Sequence, residues 1–233
     1  QVRGRAAEQA LRRFVGTWRQ SSRRGGRGQA PGLRFAPPCA SPRLPPAILL
    51  GPMPVYRLDA THAFPPPEHA EPSGLLAVGG DLHPGRVLEA YRHGIFPWPH
   101  RGQPLLWFSP DPRTVLRVDE LHVPRRLARE LRRHPYEVRL DTAFGDVMRG
   151  CATVRRKGQR GTWITAGMIE AYTALHRLGF AHACEAWRDG VLVGGVYGVC
   201  TGRVFTAESM FMRAPWASKI AVVTLVRQLA RWG

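Results

Sequence analysis

Acidic residues are scarce in this chain of 233 residues: 17 Asp and Glu stand against 34 Lys and Arg, a formal net charge of +17. Lysine is scarcer still. Only Lys157 and Lys219 occur, against 32 arginines. A basic surplus favours a polyanionic partner, but the skew toward one basic residue type reads as a coding bias, so charge alone is weak evidence. Cys39, Cys151, Cys184 and Cys200 lie far apart with no C-x-x-C pair. That suggests neither a zinc site nor a disulfide framework, and reduced thiols in the cytoplasm fit best. No apolar run approaches the ~18–20 residues of a membrane span. "PPAILLG" near residue 48 is too short and too Pro-broken for a signal-peptide core. The chain lacks a P-loop, metal-ligand spacing and an internal repeat. No metal, no cofactor and no membrane attachment is therefore expected.

With 44% hydrophobic residues, the bulk of the chain should be globular. Residues 1–52 differ. They hold ten Arg and one acidic residue, a net of +9, within stretches such as "SSRRGGRGQAPG" and "APPCASPRLPP" that show no helix or strand period. They read as a leader: either a basic, disordered RNA-binding arm or an artefact upstream of a true start at Met53. A small N-terminal domain is expected over 53–113 and a larger one over 114–233.

In "LHPGRVLEAYRHG", Pro84 suits a first helical turn and Gly94 a C-terminal cap, with Val87, Leu88 and Tyr91 as the apolar stripe. "PLLWFS" and "RTVLRV" read as strands around the turn "PDP". Helices are expected at "VPRRLARELRRH", "TAFGDVMRGCA", "TAGMIEAYTALHRLG" and "ASKIAVVTLVRQLARWG", the last with Val222, Leu225, Leu229 and Trp232 on one face. "YEVRL" reads as a strand. "AHACEAWR" and "VLVGGVYGVC" around Asp189-Gly190 form a hairpin, followed by the strand "VFTAESMF". This order implies an α+β fold with a mostly antiparallel sheet.

"FTAESMFMRAPWASK" places one carboxylate, Glu208, among Phe205, Met210, Phe211 and Met212. A buried carboxylate is costly unless paired or hydrogen-bonded. Strand alternation would put Thr206, Glu208 and Met210 on one face. Its partner is either Arg203 or Arg213, in a structural ion pair, or a group supplied from outside. Glu185, in "CEAW", reads as structural.

"GLLAVGGDL", "AYRHGIFPW", "WFSPDPR", "GTWIT", "MIEAYTALHRLGFAHACEAW", "LVGGVYGV" and "FTAESMFMRAPWASK" occur in this order. As a set they resemble the leucyl/phenylalanyl-tRNA–protein transferases, from about Met53 to the last residue. The resemblance implies a small N-terminal domain followed by an acetyltransferase-like (GNAT-type) domain. It also implies transfer of Leu, Phe or less often Met from aminoacyl-tRNA to the N-terminal amine of a protein. The acceptor would begin with Arg or Lys, and the added residue would mark it for proteolysis by the N-end rule in bacterial cytoplasm. A monomer is expected.

Such a donor is an activated ester, so neither ATP nor a metal is required. The reaction needs an apolar pocket, a grip on the RNA 3′ end and an acceptor for the amine's proton. By the resemblance, Trp98, Trp163, Phe205 and Met210 fall at donor-site positions, with plain core packing as the alternative, and Val196, Val222 and Leu225 at further pocket positions, in part as ordinary packing residues. Glu208 would hold a substrate ammonium. "RRKGQRG" makes Arg155, Arg156, Lys157 and Arg160 candidates for RNA phosphate contact, with a solvated basic loop as the bland alternative. Arg125, Arg126, Arg129, Arg132 and Arg133 form a second basic face, and Lys219 near a helix N-terminus is a further candidate.

The family carries a further strand with a D-x-Q element proposed to take the amine's proton. The sequence stops at Trp232-Gly233 before any such element. No catalytic residue is therefore assigned, and the chain reads as truncated and inactive alone. Two rivals stand beside this reading. An acyl-CoA-dependent N-acetyltransferase would share the fold, but it would need a glycine-rich pyrophosphate loop where "MFMRAPWASK" has no glycine. A non-catalytic RNA-binding protein would leave the apolar and acidic positions unexplained.

Overall fold

A computed structural model describes residues 47–49, 54–100, 102–154 and 161–232. The chain is α+β and divides into two compact units. The smaller contains the described residues up to Thr114 together with Thr165–Ala171; the larger contains Val115–Ile164 and Tyr172 onward.

The smaller unit is built on a five-stranded sheet of order β1-β2-β3-β5-β4, comprising β1 (Ala47–Leu49), β2 (Pro54–Leu58), β3 (Leu75–Gly79), β4 (Phe96–Pro97) and β5 (Leu106–Phe108). Only β2 and β3 run parallel. Strand β1 lies inside the stretch set apart above as a leader and pairs Ala47 with Tyr56; residues 1–46 lie outside the described residues. Helix α1 (Pro84–Arg92) starts where expected, with Pro84 in its first turn and the His83 side chain accepting from the Gly85 N–H at 3.2 Å. Val87, Leu88 and Tyr91 are buried as the stripe predicted. Arg86 is fully buried too. Its Nη2 donates to the Asp59 carbonyl at 2.7 Å and its Nε to Asp81 at 3.3 Å, which meets the requirement that a buried charge be paired.

The expected strand "RTVLRV" is not formed. Val115 and Leu116 are 76% and 55% exposed in irregular backbone. Adjacent apolar residues would point to opposite faces of a strand, and neither face is covered here. The chain instead turns through a short 3₁₀ segment, Val118–Glu120, where Arg117 pairs with Asp119 and Glu120 at 3.1 and 2.9 Å.

The larger unit holds the antiparallel sheet β6-β7-β8-β9, comprising β6 (Glu137–Leu140), β7 (Ala181–Arg188), β8 (Val191–Thr201) and β9 (Val204–Met212). Asp189 and Gly190 have φ of 51° and 76°, the conformation that a two-residue hairpin demands. Helix α5 (Ala217–Trp232) covers one face of this sheet, packing Ala221, Leu225 and Leu229 on Cys184, Val196 and Cys200. On the other face, Tyr197 meets Phe144 of α3 (Phe144–Thr153) and Tyr172 of α4 (Ala166–Arg177), edge to face. Helix α2 (Arg125–Arg132) buries Leu127 beside Tyr136, Ala217, Ile220 and Val223.

Candidate functional site

The pairing of β8 with β9 decides how Glu208 is presented. From the hairpin end of β8, Gly194, Gly195, Val196 and Tyr197 oppose Met212, Phe211, Met210 and Ser209 in order. The next pair is Gly198 with Ala207, so β9 carries one residue more than β8 at Glu208. This is a β-bulge, a device that re-aims a side chain and reverses the alternation beyond it. The expectation that Thr206, Glu208 and Met210 share a face is therefore corrected. Thr206 pairs with Val199 and Met210 with Val196, and those two β8 residues lie on opposite faces.

On the α5 face the bulge gathers apolar groups. Val196 and Leu225 are 2% and 3% exposed, and Phe205 and Val222 pack half-buried against the same cluster. Four sequence-predicted pocket residues thus meet in one place. Met210 stands opposite Val196 and is 47% exposed. Phe205 lies over Gly198, where an added Cβ would sit 2.7 Å from its ring and 2.3 Å from the Thr206 carbonyl oxygen. Glu208, the extra residue of the bulge, is half-buried. Arg213, one of its two proposed ion-pair partners, lies over the ring of Phe211 at 5.2 Å. Phe211 is opposite Gly195 and belongs to the α3 face.

Of the remaining candidates, Trp163 and Lys219 belong to the larger unit and Trp98 to the smaller, and four fall outside the described residues. Trp163 is half-buried just ahead of Ile164 in the larger unit. Trp98 belongs to the smaller unit, 42% exposed, and forms an aromatic group with Phe96, His100 and Phe108. Arg155, Arg156, Lys157 and Arg160 lie outside the described residues. Lys219 is exposed in the first turn of α5, its Nζ 5.1 Å from the centre of the Trp216 ring.

Two acidic residues near the sheet have structural partners. Glu185 is fully buried and accepts from the Thr142 and Ala143 N–H groups at 2.8 and 2.7 Å, from the Thr142 hydroxyl, and from Trp187 Nε1 at 3.0 Å. It caps the start of α3, as its structural reading implied. Asp141, His176 and His182 bring ligand atoms within 4.8 Å of one another, a grouping that their sequence spacing does not reveal. Hydrogen bonds account for it. Asp141 meets His182 Nδ1 at 2.7 Å and accepts from the Ala183 N–H at 2.8 Å; His182 Nε2 lies 3.1 Å from the Gly179 carbonyl and His176 Nδ1 2.8 Å from that of Ala181.

The thiols beside the apolar cluster are not poised as nucleophiles. Burial pushes Cys200 up to about 12, and burial followed by the carboxylates of Glu185 and Asp141 raises Cys184 further. The thiolate is the reactive form, so neither thiol is a candidate nucleophile.

The family model for leucyl/phenylalanyl-tRNA protein transferase matches residues 115–233, and that for the N-terminal domain of the same family matches residues 80–111. The chain belongs to the leucyl/phenylalanyl-tRNA–protein transferase family. A relative of that name from Myxococcus xanthus is 56% identical over 183 residues, covering 78% of each chain. One from Syntrophotalea carbinolica is 56% identical over 181 residues, covering 78% of this chain and 79% of its own. One from an Anaeromyxobacter species is 57% identical over 180 residues, covering 77% of each. Within this transferase family, the junction between the two matched models falls at residues 111–115, beside the Thr114/Val115 division between the two units.

Proposed function

We propose that this protein transfers a leucyl or phenylalanyl group, and less often a methionyl group, from aminoacyl-tRNA to the N-terminal amine of a protein beginning with Arg or Lys. The observation that carries this is family membership together with the meeting of Phe205, Val196, Val222 and Leu225 beside a bulge that presents Glu208. Leu, Phe and Met share apolarity and length but not shape, which an aromatic ring with a thioether at its rim accommodates. Met210 supplies that thioether, half exposed on the same face.

In the reaction the acceptor amine, deprotonated, attacks the ester carbonyl. A C–N bond forms, the bond to the ribose oxygen breaks, and the proton lost by nitrogen goes to a base as the ribose hydroxyl is restored. The carboxylate of Glu208, close to apolar groups, attracts a substrate ammonium more strongly than it would in water. Trp98 and Trp163 are read as further donor contacts, and Arg155, Arg156, Lys157, Arg160 and Lys219 as phosphate contacts. The added residue marks its protein for degradation in the cytoplasm, and the transferase acts as a monomer. No helix among the described residues is long and apolar enough to cross a membrane.

The CoA reading fares worse. A pyrophosphate cradle needs backbone N–H groups exposed by glycine, and the turn from β9 into α5 is Arg213–Ala214–Pro215–Trp216.

The test is equilibrium binding of Leu-tRNA, Phe-tRNA and Ala-tRNA to the full chain, with transfer of labelled Leu to a peptide beginning with Arg measured on a chain that carries the family's D-x-Q strand. Leu- and Phe-tRNA should bind at least tenfold tighter than Ala-tRNA, a difference of about 1.4 kcal/mol. Equal binding of all three sinks the donor pocket. Glu208→Gln keeps the shape and removes the charge. It should weaken Leu-tRNA binding or transfer at least tenfold with an unchanged thermal midpoint; a lowered midpoint with normal binding would assign Glu208 to a structural pair.

A further inference from the structure

Two exposed cations from distant parts of the chain converge on one indole. Arg126 Cζ of α2 lies 5.3 Å from the centre of the Trp216 ring, and Lys219 Nζ of α5 lies 5.1 Å from it. Among the described residues, the carboxylate of α2 is engaged elsewhere: Glu130 pairs with Arg133 at 3.2 Å and meets Arg129 at 3.9 Å. Stacking on an aromatic face holds a cation in place without neutralising it, so the pair keeps its full charge toward solvent.

The platform beneath them is fixed. Trp216 has a φ of 68°, a conformation rare for a bulky side chain. The preceding residue is anchored, because Tyr136 Oη donates to the Pro215 carbonyl at 2.6 Å, and Tyr136 is itself buried under Arg188 at 4.7 Å. Trp216 packs against the cluster of Leu127, Tyr136, Ala217 and Ile220 that joins α2 to the start of α5. Arg125, Arg129 and Arg132 extend the same positive surface along α2, and the α5 N-terminus adds to its potential.

The position relative to Glu208 is informative. Three residues of β9 lie between Glu208 and Met212, four steps that cover roughly 13 Å of strand, and Trp216 lies beyond that end after a three-residue turn. At about 3.4 Å per stacked nucleotide, that length corresponds to roughly four nucleotides. A nucleic acid with its esterified end at Glu208 would bring an internal backbone phosphate to this place.

We propose that Arg126 and Lys219, held on Trp216, form a seat for a backbone phosphate of the donor RNA, several nucleotides from the ester. The proposal rests on the donor reading above. Its chemistry is that of a phosphate monoanion between two cations, with an Arg fork suited to two of its oxygens. Neither Trp216 nor Arg126 is needed for the apolar pocket.

The test is tRNA binding to the full chain between about 50 and 200 mM salt, with Arg126→Gln, Lys219→Gln and Trp216→Gly beside the wild type. Each Gln variant should bind several-fold more weakly at low salt, and its plot of log affinity against log salt should flatten, by at most the roughly 0.7–0.9 expected when one phosphate is no longer neutralised. Trp216→Gly suits the left-handed backbone but loses packing against the cluster, so its tRNA affinity is read well below its own thermal midpoint; there it should fall several-fold, which a merely structural tryptophan would not show. Unchanged affinity and slope in all three variants overturn the seat and leave the donor reading standing. A wild type that fails to bind tRNA overturns both. Inorganic phosphate separates the remaining case: if it stabilises the wild type and not the variants while tRNA binding is untouched, the site takes free phosphate and the RNA assignment is wrong.

Discussion

Gly198 sets how closely the ring of Phe205 can lie against the sheet. A methyl group there would stand 2.3 Å from the Thr206 carbonyl and 2.7 Å from the ring, both inside any tolerable contact. Gly198→Ala should therefore displace β9 or expel Phe205, lowering stability by about 1–3 kcal/mol and weakening Leu-tRNA binding together with it. Urea unfolding beside donor binding checks this; a variant that binds normally would show that Phe205 is plain core. At this scale the residue types of the site were legible. Phe205, Glu208 and Met210 stood out because one acid in an apolar run demands a reason. Their faces were not legible, since a bulge adds one residue without altering composition or the look of the alternation. Trp216 was equally hidden. Its partner Arg126 is ninety positions away, and its left-handed backbone is one that sequence reading reserves for Gly or Asn.

Individual elements were easier to read where local chemistry and packing agree. Asp189-Gly190 could be assigned because a two-residue turn with both φ positive accepts few residue pairs. Helix α5 followed from its stripe, since Val222, Leu225, Leu229 and Trp232 all join one cluster. "RTVLRV" misled because β propensity says nothing about whether a partner strand is available. Helix α3 shows the converse: no side chain of its own first turn caps it, and the buried Glu185, 42 residues on, accepts the Thr142 and Ala143 N–H groups instead. Glu185→Ala should leave these donors unsatisfied and cost about 1–3 kcal/mol, seen as a lower urea midpoint with an unchanged slope. The end of α1 offers a pH test. The hydrogen bond between Glu89 and His93 lowers Glu89 below its ordinary 4.5 and raises His93 above its ordinary 6.5. The Glu89 contribution is present above 4.5 and fades as pH falls; the His93 contribution is present below 6.5 and fades as pH rises. The pair should stabilise most between those values, by about 0.2–0.5 kcal/mol for an exposed i,i+4 contact, and His93→Gln should flatten the thermal midpoint's dependence on pH there.

Across the whole molecule, charge and sequence periodicity are distributed differently. Ten of the 32 arginines fall before residue 47, in a stretch without periodicity, whereas described backbone begins with β1 at Ala47 and continues the sheet through its pairing with β2. Two shortened chains separate these properties. A chain starting at residue 47 loses nine net positive charges and keeps β1; a chain starting at Met53 loses β1 as well and leaves one side of β2 unpaired, the condition that makes an edge strand a liability. The first should melt with the full chain, and the second should melt a few degrees lower, in proportion to a three-residue strand worth on the order of 1 kcal/mol. The same chains decide between the two readings of the arginine-rich stretch. Counterion release ties the salt slope of tRNA binding to the number of phosphates neutralised. If the stretch plays no part in recognition, the slope belongs to the cations from α2 onward and survives the loss of nine charges. That is the expected result. A slope that falls by several units would instead make residues 1–46 an RNA-binding arm.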